Sequence, residues 1–177
     1  MAAIVGTTMR IVAALAPAPV AAEVQGQTVA EYGNWGVNGV IVVVTALAVC
    51  LCVLLYYEVL NFLSHWSVRL ERQRRRRVLF AIFGVLPAHV AEIWIFGMAY
   101  VLLQVSPAFG TAHGIGPSLL DYVYISAMTF TTVGMSDAYV DGPIRFICGS
   151  EALTGLVLIT WSASFTFLEM ERFWRDR

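Results

Sequence analysis

Thr131-Thr132-Val133-Gly134-Met135-Ser136-Asp137 follows a short apolar segment, Leu119 to Phe130, and precedes a long one, Ile144 to Leu168. The short segment opens on Ser118-Leu119-Leu120-Asp121, a capping-box pattern, after a loop that ends with Gly114, Gly116 and Pro117. Read as a helix, Leu119 to Phe130 rises about 18 Å, little more than half of the roughly 30 Å hydrocarbon core of a bilayer. It is too short to cross. A chain that dips in this way must return through extended backbone, and non-helical backbone at membrane depth is tolerated only inside protein or beside a water-filled cavity. The Thr-Val-Gly run is therefore expected to line a pore and offer oxygens to ions.

Composition supports a membrane setting: 59% of the 177 residues are hydrophobic and 13% are charged, unlike a soluble globule. A spanning helix needs about 20 mainly apolar residues. Val37 to Leu63 meets that requirement, with Glu58 and Asn61 only near its end. Val78 to Leu103 is a second span, interrupted by Pro87, His89 and Glu92. Ile144 to Leu168 is a third, carrying Glu151 and the small residues Gly149, Gly155, Ser162 and Ser164. The expected fold is an all-α membrane protein: three transmembrane helices, with a re-entrant pore helix and filter loop between the second and third.

Every basic residue other than histidine is arginine, and position matters more than the net charge of −1. Arg69, Arg72, Arg74, Arg75, Arg76 and Arg77 crowd the link between spans one and two, and Arg172, Arg175 and Arg177 fill the tail. Short cytoplasmic loops are enriched in arginine and lysine, so link and tail are expected in the cytoplasm. The segment from Gln104 to Pro143 has no arginine but holds Asp121, Asp137 and Asp141, and is expected outside together with the amino end. Residues 1 to 22 loosely follow a signal-peptide pattern, Arg10 then Ile11 to Leu15 then Val20-Ala21-Ala22, but Pro17 and Pro19 break its short apolar core. A flexible or interfacial arm fits equally well. Tyr32 and Trp35 read as interfacial anchors. Cys50, Cys52 and Cys148 lie in apolar runs without metal-ribbon or redox spacing and read as small buried hydrophobes.

From about Val78 to Glu169 the chain resembles the pore module of the potassium-channel superfamily, in particular small prokaryotic channels of the two-helix type. The resemblance rests on an outer helix, a pore helix with Tyr122, Ser126 and Thr129-Phe130, the filter-like Thr131-Thr132-Val133-Gly134, the following Asp137, and an inner helix with Gly155. It implies a division into an arm at 1–36, an added helix with its basic link at 37–77, and a pore domain at 78–177. By resemblance, Thr132 supplies carbonyl and hydroxyl oxygens at the inner ion site. Val133, Gly134, Met135 and Ser136 supply carbonyls above it, Asp137 rings the outer mouth, and Gly155 is the inner-helix hinge. One chain supplies a quarter of each ring, so a homotetramer is implied. The pore helix would aim the negative end of its dipole at the cavity.

The chain also departs from the family pattern. Family filters read Thr-Val-Gly-Tyr-Gly-Asp, whereas Met135 and Ser136 stand here for the Tyr and the second Gly. A left-handed backbone costs a residue with a side chain about 1–2 kcal/mol, summed over four copies. Met135 also lacks the hydroxyl that would hold the filter's diameter. Weaker discrimination among monovalent cations is the expectation.

Outside the filter, His89 and Glu92 sit three apart near the middle of the second span, where ionisable groups are costly and often functional. A mutual hydrogen-bonded pair, a contact with the first span or a neighbouring subunit, a proton sensor and a metal site are the readings, in which only Glu58 and Glu151 offer further carboxylates in the spans. Glu151 either faces the pore or is a buried strut, for which Thr129 and Thr131 are the expected donors. Arg74, Arg75, Arg76 and Arg77 are topology determinants that also suit anionic lipid headgroups.

The function expected is a homotetrameric channel for potassium or other monovalent cations in a prokaryotic inner membrane. It would work without enzymatic activity, cofactor or nucleic-acid partner, with no metal beyond the permeating ions, and without an arginine-bearing voltage sensor. The alternatives are a non-conducting scaffold or accessory subunit that keeps the pore fold and, more remotely, an intramembrane metalloenzyme built on His89 and Glu92.

Overall fold

The computed structural model describes residues 35–69, 74–114, 116, 118–134 and 138–175. The amino-terminal arm, Arg72, Met135, Ser136, Asp137 and Arg177 lie outside the described residues, as do the side chains of Arg69, Arg74 to Arg77, Arg172 and Arg175.

Four helices account for most of the described chain. α1 (Trp35–Arg69), α2 (Arg74–Leu103) and α4 (Arg145–Arg175) each contain a stretch long and apolar enough to span a membrane, while α3 (Leu119–Phe130) does not. Val40 to Thr45 is a β-branched run that favours strand in water. In lipid the backbone must satisfy its own hydrogen bonds, and a lone segment can do that only as a helix. α1 accordingly buries one stripe, Ile41, Thr45, Ala48, Cys52, Tyr56, Leu60 and Leu63, at three- and four-residue spacing. Val37, Val44, Val49, Leu55 and Val59 flank that stripe half-buried, while Val40, Val42, Val43, Leu47, Leu51, Val53 and Leu54 are exposed, as a lipid-facing surface requires.

α2 buries Ala81, Val85, Ala88, Glu92, Phe96, Ala99, Tyr100 and Leu103 in the same way. Pro87 lies inside it and removes one backbone donor. α1 packs on both α2 and α4, and α3 is held between α2 and α4. Close packing of α2 on α3 depends on Gly97, where a Cβ would stand 2.9 Å from Val123 Cγ2 and 3.2 Å from Val123 Cα. The added first span is thus part of the same bundle as the pore-type segment.

α3 spans the residues expected of it, Leu119–Phe130, and Asp121 sits in its first turn. Ser118 N–H donates to Asp121 Oδ2 at 3.4 Å, the carboxylate arm of the expected cap. Flanking this helix is an element the hydropathy pattern does not reveal. β1 (Thr111–His113) pairs antiparallel with β2 (Tyr139–Asp141), Ala112 opposite Val140. Three-residue strands are too short to show alternation, and only their pairing defines them. The ribbon ties the loop before α3 to the segment that leads into α4. His113 stacks on Tyr139 at 4.8 Å between ring centroids, and Ile144 N–H donates to Phe109 O at 2.9 Å.

Candidate pore segment

α3 ends at Thr131, whose N–H donates to Ala127 O at 3.1 Å and whose hydroxyl donates to the same carbonyl at 2.7 Å. Thr132 N–H then donates to Thr129 O at 3.0 Å, and Gly134 N–H turns back to Met128 O at 3.2 Å. Thr132 has φ of +58° and Gly134 has φ of +82°, while Val133 between them is outside the left-handed region. The sign of φ thus alternates over residues 132–134. Thr132 is the only non-glycine residue with positive φ among the described residues. Such a conformation costs about 1–2 kcal/mol, and persists where the surroundings over-determine it, often at functional sites. Residues 131–134 are all exposed in the single chain, Val133 at 72%.

Behind this segment is a buried polar clamp. Glu151 on α4 is fully buried. Its Oε1 accepts from Ser126 Oγ on α3 at 2.5 Å and its Oε2 from Tyr100 OH on α2 at 2.6 Å. Ser126 Oγ also lies 2.8 Å from Ile93 O. One carboxyl therefore joins three helices. The donors differ from those expected, since Thr131 turns its hydroxyl back onto Ala127 and Ser126 is the residue of α3 that reaches α4. Gly155, one turn along, meets the carboxyl end of α3 directly: a Cβ there would stand 2.0 Å from Phe130 O. α4 runs unbroken through this position.

A second polar group lies on the far side of Phe130, whose ring centroid is 5.9 Å from that of His89. His89 Nδ1 is 2.8 Å from Glu92 Oε2, so the two form the mutual pair, and His89 Nε2 is 2.6 Å from Ser162 Oγ on α4. Tyr56 of α1 brings its hydroxyl to 2.5 Å from the same Ser162 oxygen and stacks on the imidazole at 5.4 Å. Among the described residues no group of three or more His, Cys, Asp or Glu side chains is assembled to hold a metal. Glu58 and Glu151 do not join His89 and Glu92. Tyr56 and Tyr100 are the residues that sequence reasoning overlooks. Their only local signal is a hydroxyl on the buried stripe of a span, where a tyrosine needs a polar partner.

A bundle of three membrane-length helices with a short helix and a turn between the last two is an arrangement that suits an ion channel. The chain matches an ion-channel family over residues 88–172, which takes in the second half of α2, all of α3 and the pore segment, and nearly all of α4. It is also 31% identical over 102 residues to Protein LctB of Bacillus caldotenax, covering 54% of this chain and 75% of that protein. No solved structure matches. This chain belongs to the ion-channel family and is a membrane protein. α1 lies outside the family match.

Proposed function

We propose that four copies of this chain form a channel for potassium or other monovalent cations. Each copy contributes a re-entrant α3 and a filter made of Thr132, Val133, Gly134, Met135 and Ser136. The observation that carries the reading is the alternation at Thr132, Val133 and Gly134 at the end of a helix too short to cross, because ion filters are built from rings of inward-turned carbonyls. Asp137 forms the outer ring of charge. Glu151 acts as a strut behind the filter rather than as a cavity charge, a role its burial and two hydroxyl donors support. The basic link and tail face the cytoplasm of a prokaryotic cell, where Arg74 to Arg77 meet anionic lipid.

Purified protein in liposomes is expected to take up potassium down a gradient, with a measurable but incomplete preference over sodium. Gly134→Ala places a side chain at φ +82° in each copy, an expected cost of about 1–2 kcal/mol per chain. It should abolish most of the flux while the assembly survives on size-exclusion chromatography. Silent wild-type liposomes, with another membrane protein co-purifying in fixed ratio, would instead establish a scaffold.

A further inference from the structure

The group around His89 has hydrogen-bond contacts that can be counted atom by atom. Four contacts meet there: His89 Nδ1 with Glu92 Oε2, His89 Nε2 with Ser162 Oγ, Tyr56 OH with Ser162 Oγ, and Ser162 Oγ with Leu158 O at 3.0 Å. The Ser162 hydroxyl owns one hydrogen and two lone pairs, and Leu158 O can only accept. When Ser162 donates to Leu158 O it must accept from both Tyr56 and His89, so Nε2 has to carry hydrogen. The contact at Nδ1 then requires a second hydrogen, on the ring or on the Glu92 carboxyl. All four contacts are therefore made only when the His89–Glu92 pair holds two protons in total.

With one proton fewer, the remaining hydrogen sits on Nδ1 against a carboxylate, and bare Nε2 becomes an acceptor. Ser162 must then swing its hydrogen from Leu158 O, within its own helix, to His89 on α2. The change is a rearrangement between two spans set by a single proton. Histidine is the side chain suited to such a change near neutral pH.

The pair also borders a crevice. A crevice of about 390 Å³ between α2 and α4 has His89 and Ser162 in its wall, with Val85, Leu86, Ile159 and Phe167 around them. The His89 side chain is 15% exposed while Glu92 is fully buried, so the imidazole is the member that borders the crevice. Glu92 Oε1 has no hydrogen-bond partner, which leaves the carboxyl free to change state without breaking a second contact. The other ionisable side chains facing the group are Tyr56 and Cys52 of α1. Cys52 Sγ lies 3.9 Å from Glu92 O. Glu169 is on α4, seven residues from Ser162 on its buried face. Glu151 is engaged with Tyr100 and Ser126.

We propose that His89 and Glu92 form an intramembrane proton-binding site whose occupancy is passed to α4 by Ser162 and to the added helix α1 by Tyr56, making ion flux dependent on pH. The proposal rests on the conduction reading above for its effect on flux, but not for the site itself.

The test uses the full-length protein in liposomes between about pH 5 and about pH 8, the range in which histidine changes charge. Wild-type potassium flux is expected to change across that range. Glu92→Gln, which keeps the shape of the pair, and Ser162→Ala, which removes the relay but leaves the pair, should each lose the change while retaining flux. Histidine-labelled protein in nanodiscs, read by nuclear magnetic resonance, separates the steps. The chain has three histidines, and His89→Gln assigns the signal. The His89 ring should titrate in wild type and in Ser162→Ala, and at a shifted pH in Glu92→Gln. A pH-dependent flux that survives in both variants overturns the proposal, as does a His89 signal insensitive to Glu92→Gln. No flux from any variant, with the titration behaving as described, overturns the conduction reading and supports the proton site.

Discussion

Gly155→Ala is expected to unseat α3 from α4. The added methyl would stand 2.0 Å from Phe130 O and 2.8 Å from Phe130 C, and both are backbone atoms that cannot rotate aside. Overpacking a well-packed site commonly costs about 1–3 kcal/mol, and here the strain falls on the end of the helix that carries the Thr132 turn. The variant should melt several degrees lower in detergent and lose potassium flux, with loss of the assembled species on size-exclusion chromatography. A hinge would behave differently. If Gly155 matters because α4 bends there, alanine leaves the melting temperature unchanged and alters only the open fraction. Measuring both quantities on one preparation decides between close approach and flexure.

The second large effect is expected at Glu151. Glu151→Ala strips the acceptor from Tyr100 OH and Ser126 Oγ at once, in the bundle interior. Ser126 Oγ keeps Ile93 O at 2.8 Å, so the loss falls on Tyr100 OH, left with only the weak acceptor Cys148 Sγ at 3.1 Å; an unsatisfied buried hydroxyl costs about 1–3 kcal/mol. Tyr100→Phe removes one partner of the same bond without leaving a second donor stranded. Interhelical hydrogen bonds in membranes average about 0.6 kcal/mol in double-mutant cycles, with a maximum near 1.7, so that variant should be much milder. The order of stability should thus be wild type, Tyr100→Phe, Glu151→Ala, with Glu151→Gln recovering part of the loss. Unfolding of reconstituted protein would read this order. An Glu151→Ala protein as stable as wild type but with altered cation selectivity would mean that the carboxyl faces the conduction path.

The polar group around His89 ties in α1, although that helix lies outside the ion-channel family match. Its Tyr56 reaches Ser162 of α4, 106 residues away in the chain, past the edge of α2. A helix that served only as a membrane anchor would need no hydroxyl on its buried stripe. The polar contact joins α1 to the helix that follows the pore segment.

Much of the architecture was legible in the residues. The three spans follow from hydropathy because lipid leaves a single segment no alternative to the helix. α3 begins and ends where Ser118-Leu119-Leu120-Asp121 and Thr131 put it, since capping is a contact between residues three or four apart. The pairing of His89 with Glu92 was readable for the same reason, one helical turn separating them. The ribbon of β1 and β2 was not, because each strand is defined only by a partner 26 or more residues away.

The donors to Glu151 show the limit most clearly. Thr129 and Thr131 are the nearer hydroxyls to the filter in sequence, yet Ser126 and Tyr100 bind the carboxyl because helix packing, set by the contact of Gly155 with Phe130 O, turns those faces inward. Local rules, the length of an apolar run and the spacing of a cap or an i,i+3 pair, settle where this chain is helical and where it must dip. Which polar side chains meet across the bundle came only with the tertiary structure, because those contacts join residues 25 to 106 positions apart and depend on how closely the helices approach; the left-handed turn at Thr132 has only local hydrogen bonds, and its residue type, a non-glycine, gives no signal for positive φ.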